Sequence, residues 1–207
     1  MAVSGSVDFN LTRNEIITEA FGLCGVGVEG EALEAEEMNI GARRLNMMVK
    51  AWAADGLHLW KYSEQATTLI NATASYSLSG TSRPLRILNV RYDDGSTEVQ
   101  MIEYARQDYF DLPDRTTAGP PTAWYYDPGR GHSSSDGTLY VWPVIATVSS
   151  DTVNYTAELP MDDFDASTDN ADMPTEWLEA LTYNLAVRLC GNYGVPMDER
   201  QWLRQQV

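Results

Sequence analysis

The side chains in this sequence best equipped for chemistry are its carboxylates, and the most tempting group of them lies between Asp162 and Asp172. Asp163, Asp165, Ser167 and Asp169 occupy alternate positions, the spacing of the first half of a calcium loop. The loop's turn glycine is missing, with Thr168 in its place, and Pro174 stands where a bidentate glutamate is required. The segment therefore reads as a charged linker. Gly131-His132-Ser133 lacks the second glycine of a nucleophile elbow and sits in a polar loop, away from any strand-to-helix turn. The only histidines, His58 and His132, and the only cysteines, Cys24 and Cys190, share no short spacing that would make a zinc site. Gly25-Val26-Gly27-Val28-Glu29-Gly30 follows a helical pattern, whereas a dinucleotide fingerprint follows a strand. Paired carboxylates occur throughout so acidic a chain and single out nothing. The residues give no catalytic group, no metal site and no cofactor, and an enzyme is the minority reading.

The elements that would position any site fall into three blocks. Residues 12–55 and 173–206 carry helical periodicity, and the residues between them carry strand alternation and turn signals. Thr12 and Glu15 form a capping box, Leu11 and Ile16 can staple it, and Ile16, Ile17, Ala20, Phe21 and Cys24 share one face. A second helix is expected from Ala32 to Ala54, with Leu45, Met48, Val49 and Trp52 in its stripe and Gly56 ending it. A third starts near Pro174 and carries Trp177, Leu178, Leu181, Leu185 and Leu189; a last short one follows Pro196. Between them, Tyr62 to Ile70, Ser75 to Leu78, Pro84 to Tyr92, Thr97 to Ile102, Ala123 to Tyr126, Thr138 to Val144 and Thr152 to Ala157 read as strands, the last two as partners. Asp93-Asp94-Gly95-Ser96 reads as a hairpin turn. The fold class is α+β: a helical bundle built from both chain ends (1–58 and 165–207), with Trp52 and Trp177 buried in it, and a β-rich, sandwich- or barrel-like insertion (59–164).

Composition narrows the function. The chain has 207 residues, 43% of them hydrophobic, with 30 acidic and 14 basic side chains and a formal charge of −16. That is enough to bury a core and too anionic for a basic nucleic-acid binder. Two widely separated cysteines fit a reducing compartment, and neither a signal peptide nor a membrane-spanning run is visible.

Leu11-Thr12-Arg13-Asn14-Glu15-Ile16 leading to Gly22-Leu23-Cys24-Gly25, and Ala42-Arg43-Arg44-Leu45-Asn46-Met47-Met48-Val49-Lys50-Ala51-Trp52 leading to Asp55-Gly56-Leu57, resemble the opening of head-to-tail adaptor (connector) proteins of tailed double-stranded DNA bacteriophages. Met173-Pro174-Thr175-Glu176-Trp177-Leu178-Glu179-Ala180-Leu181, with Leu185 to Leu189 and Tyr193-Gly194, is similar to their closing helix. Gly119-Pro120-Pro121 and Leu139-Tyr140-Val141-Trp142-Pro143 resemble the β insertion of the short-tailed-phage tail tubular protein A branch; the packaged-DNA stabilisation branch is also similar. The resemblance implies a structural virion protein at the head–tail junction, made in the host cytoplasm. It would be a ring, usually of twelve copies, between portal and tail nozzle or tube. Packaged DNA would be retained by it and ejected through it, without sequence-specific binding and with no membrane involved.

Under that reading Arg200, Trp202, Leu203 and Arg204 are the expected partner interface, and Asp93, Asp94, Asp162, Asp163 and Asp165 the expected channel-facing carboxylates. The competing expectations are a cell-wall hydrolase using Asp or Glu and a glycan-binding module using Trp124, Tyr125 and Tyr126.

Overall fold

The computed structural model describes residue 5 and residues 8–26, 32–55, 61–78, 83–129, 137–146 and 150–205. His58, His132, Gly56 and the Gly131-His132-Ser133 segment lie outside the described residues, as does Gly27 to Gly30. The fold is mixed α and β, with five α-helices and two four-stranded sheets among the described residues. The chain divides into two compact units, residues 1–60 with 161–207, and residues 61–160.

The first unit is helical. α1 (Arg13–Leu23) begins where the capping box places it: Thr12 N donates to Glu15 Oε2 at 2.8 Å, and Glu15 N donates to Thr12 Oγ1 at 3.4 Å. Its inward face, Ile16, Ile17, Ala20 and Phe21, is fully buried. α2 (Ala35–Ala54) buries Leu45, Met48, Val49 and Trp52. The two helices approach closely at Gly41, where an added Cβ would lie 2.5 Å from Ile17 Cγ2. α4 (Leu178–Leu189) turns its leucine stripe, with Ala186, into the same core, and α5 (Met197–Gln205) adds Leu203. Cys24 and Cys190 both end inside this core as free thiols.

Two expectations change here. Trp177 is only half-buried, because it sits in a tight 3-10 turn (Thr175–Trp177) ahead of α4, where three residues per turn rotate it off the leucine stripe. The acidic segment expected as a linker is instead a strap docked on α1 and α2, and the helical unit takes it up from Met161. Met161 and Phe164 are buried. Asn46 brackets Phe164, its amide donating to Phe164 O at 3.2 Å and its carbonyl accepting from Phe164 N at 2.8 Å. Lys50 Nζ donates to Met161 O at 2.7 Å, and Arg13 N donates to Asp169 O at 2.7 Å. Apolar residues every few positions and an unpaired backbone at the α1 N-terminus explain why charged side chains did not keep the strap in water.

The second unit holds both sheets. One runs β1 (Tyr62–Thr68), β8 (Thr152–Glu158), β3 (Arg86–Asp93), β4 (Glu98–Gln100); all its pairs are antiparallel, with a bulge between Ile87 and Asn89. The other runs β2 (Ser75–Ser77), β7 (Thr138–Trp142), β6 (Ala123–Asp127), β5 (Ile102–Glu103), with β5 parallel to β6. Val90, Val153 and Ala157 from the first sheet and Trp124, Leu139 and Val141 from the second share one apolar cluster. The expected pairing of the strands around Thr138 and Thr152 is wrong: β7 lies between β2 and β6, and β8 between β1 and β3. Pro143, with no N–H to continue a ladder, ends β7, and β8 belongs to the other sheet. The expected strand from Thr97 to Ile102 likewise divides into β4 and β5, in different sheets, around the buried Met101, whose N–H donates to Val90 O at 2.9 Å.

Candidate functional site

The expected channel-facing carboxylates occupy both units. Asp93 and Asp94 close the β3–β4 hairpin: Asp93 Oδ1 accepts from Gly95 N at 2.8 Å, and Asp94 Oδ1 from Ser96 N at 2.8 Å and Thr97 N at 2.7 Å. These N–H donors hold the Asp94 carboxyl below its ordinary range. Asp162, Asp163 and Asp165 lie on the strap of the helical unit, all exposed. Asp163 pairs with Lys50 at 2.8 Å, and the Arg13 side chain donates to the backbone oxygen of the exposed Asp165 at 2.8 Å. Asp169 Oδ2 accepts from Ala166 N at 2.6 Å. The alternate acidic positions thus serve an ion pair and a turn. Among the described residues no group of three or more His, Cys, Asp or Glu is placed to hold a metal ion.

The expected partner segment divides by face. Leu203 is 1% exposed and belongs to the helical core, so it is no free anchor. Trp202, its neighbour, is 51% exposed, with its ring 6.3 Å from Tyr183. Arg204 is exposed and Arg200 half-buried. On a helix, successive residues are about 100° apart, which is why one of this pair faces in and the other out.

Trp124, Tyr125 and Tyr126 do not form one platform. Trp124 is 2% exposed and faces the core, because neighbouring residues of a strand point to opposite faces. Tyr126 reaches across to donate to Pro84 O at 2.6 Å. Tyr125 joins a cluster that the sequence did not reveal. It stacks on Tyr140 at 5.6 Å, and Tyr109 lies 5.2 Å from Tyr140. On α3 (Arg106–Phe110), Phe110 is flanked by the guanidinium carbons of Arg106 and Arg115, 5.5 and 5.2 Å from its ring centre. The outer face of the first sheet is tied differently. Arg91 donates to Glu98 at 3.0 Å, to Glu64 at 2.6 Å and to Asn89 at 2.9 Å. Thr156 and Asn154, besides Arg91, hold the Glu64 and Glu98 carboxyls below their ordinary range. Among the described residues Glu15, Glu64, Asp94, Glu98 and Asp114 are shifted downward, the direction of a hydrogen-bonded structural acceptor.

A second feature missed in the sequence is an open groove of about 510 Å³ lined by Ile40, Arg43, Arg44 and Met47 of α2, with Arg188 and Asn192 beyond. Arg44 reaches over to donate to Arg188 O. The signal was present, since Ile40, Arg43, Arg44 and Met47 are three or four residues apart and so share a helix face. Opposite that face lies the buried stripe of α2.

No described helix is long and apolar enough to cross a membrane. No curated protein matches this chain. The model of the SU10 adaptor protein family matches residues 30–206, spanning α2, all eight strands, the strap, α4 and α5. The chain belongs to the SU10 adaptor protein family, a family of phage structural adaptors.

Proposed function

We propose that this protein is the head-to-tail adaptor ring of a tailed phage, seated between the capsid portal and the tail, retaining packaged DNA and giving it a passage at ejection. The observation that carries the reading is the family match, which runs from residue 30 to residue 206 and so enters both compact units. The fold supports it in kind: it is mixed α and β, with helices toward both chain ends and two sheets in the residues between. Twelve copies is the number carried over from the adaptors the sequence resembles. In this reading Trp202 and Arg204, both exposed on α5, contact portal, with Trp202 as the anchor. Tryptophan and arginine are the residue types most enriched at interface hot spots, and Leu203 fixes the helix that presents them. The formal charge of −16 disfavours adhesion to phosphate, as suits a channel through which DNA must move.

Light scattering on the purified chain, alone and mixed with portal, tests this. The expected results are closed oligomers and a portal complex of fixed stoichiometry. A chain that stays monomeric and passes portal without binding would overturn the reading.

A further inference from the structure

The arginine groove of the helical unit has the chemistry of a socket. Of 14 basic residues in the chain, three (Arg43, Arg44 and Arg188) line this one depression, and the apolar side chains Ile40 and Met47 lie among them. Met47 is 65% exposed, Arg43 and Arg188 are exposed, and among the described residues no ion pair engages any of the three arginines. An apolar patch ringed by cations asks for a partner carrying a hydrophobe next to carboxylates.

The same unit carries such an element. The first turn of α5 presents Met197, 72% exposed and the most exposed of the described large hydrophobics, followed by Asp198 and Glu199. Both carboxylates are without a partner among the described residues. Other acidic positions of the unit fit less well. Asp163 is paired with Lys50, Asp169 caps the strap, Glu15 caps α1, and Asp8, beside the exposed Phe9, already has an interaction. We propose that the Ile40–Arg43–Met47–Arg188 groove of one copy receives the Met197-Asp198-Glu199 turn of a second copy. This is a heterologous contact in which each subunit offers a groove to one neighbour and a helix turn to the other. It deepens the ring reading and rests on its self-association. Duplex DNA fits the groove less well: phosphates have no use for Met47 and Ile40, and the net charge of the chain repels them.

The test uses the full chain and charge reversal on exposed side chains, with circular dichroism and melting temperature as controls. Arg44 stays untouched because it bonds within the unit. Arg43→Glu with Arg188→Glu should weaken self-association at least tenfold by sedimentation equilibrium, and Asp198→Arg with Glu199→Arg should do the same. An equimolar mixture of the two doubly reversed variants should associate where each alone does not. Unchanged association of the Arg43→Glu, Arg188→Glu variant would overturn the groove as interface, and unchanged association of the Asp198→Arg, Glu199→Arg variant would overturn α5 as its occupant, while a ring built through another face would keep the adaptor reading intact. Failure of the mixture to associate would overturn α5 as the occupant. A gel shift of duplex DNA that disappears on arginine reversal, with association unchanged, would assign the groove to phosphate instead. Portal binding, measured on the same samples, reports separately on the adaptor reading.

Discussion

At the scale of single residues, the close contact between α1 and α2 depends on the absence of a side chain. A methyl at Gly41 would meet Ile17 Cγ2 at 2.5 Å and Phe21 Cε2 at 3.3 Å. Ile17 is β-branched, fully buried and stiff in its helix, so it cannot swing aside. Gly41→Ala should therefore destabilise by about 1–3 kcal/mol despite the better helix propensity of alanine, read as a lower midpoint in urea. The thiols offer a second measurement. Burial, with Cys190 as neighbour, pushes the Cys24 thiol up from its ordinary 9.0. A folded thiol that keeps its proton longer than the unfolded one leaves stability untouched below the ordinary value and lowers it as pH rises beyond. Alkylation at pH 8 should be slow in the native protein and fast in denaturant, and the melting temperature should fall above about pH 9. Rapid labelling of the native form would mean the helical core is more open than its packing implies.

At the scale of elements, local signals and long-range ones parted company. The α1 start was legible because a capping box is chemistry between residues three apart, and the structure has it at Thr12 and Glu15. The stripes of α2 and α4 were legible because helical periodicity needs no knowledge of the partner. The sheet partners of β7 and β8 were not, since alternation fixes which side chains face inward and says nothing about which strand lies alongside. The strap from Met161 to Asp172 looked like a linker by its charge, and it docks through the few apolar residues between the charges. The C-terminal helix shows the same limit at one step of sequence. Trp202 and Leu203 look equivalent as a pair of apolar residues, yet one is solvent-facing and the other is core. Leu203→Ala should cost about 2–5 kcal/mol of stability, whereas Trp202→Ala should cost under about 1 kcal/mol and weaken portal attachment. Thermal melts paired with portal pull-down separate the two. Equal loss of stability in both would show that Trp202 is a packing residue and remove it as the anchor. Truncating residues 197–207 would be a poor substitute, because it uncovers the core that Leu203 covers.

At the scale of the whole molecule, the candidate site was less legible than the fold because an assembly surface has no fixed residue pattern. The Tyr109–Phe110–Tyr125–Tyr140 cluster is made by residues distant in sequence and brought together by folding, and the arginine groove, one face of which was present in the periodicity of α2, is completed only by the distant Arg188 and Asn192. The charge of the chain was legible, and it yields the most direct test of the channel. If Asp162 and Asp165 face passing DNA, their repulsion keeps phosphates from settling on the wall, and each lysine put in their place adds a contact that releases counterions. Asp165→Lys, at an exposed position of the strap, should leave folding intact and make the assembled ring retain DNA. Its affinity for duplex should fall with salt more steeply than that of the unaltered ring, by a log–log slope of about 0.9 for each phosphate gained. Particles carrying the variant should eject their genome more slowly at low ionic strength and recover speed as salt is raised. Wild-type ejection kinetics with the lysine ring at every salt concentration, or an assembled ring whose lumen is lined mainly by arginine and lysine, would place the strap on the outside and assign the acidity of this chain to its contacts with other proteins.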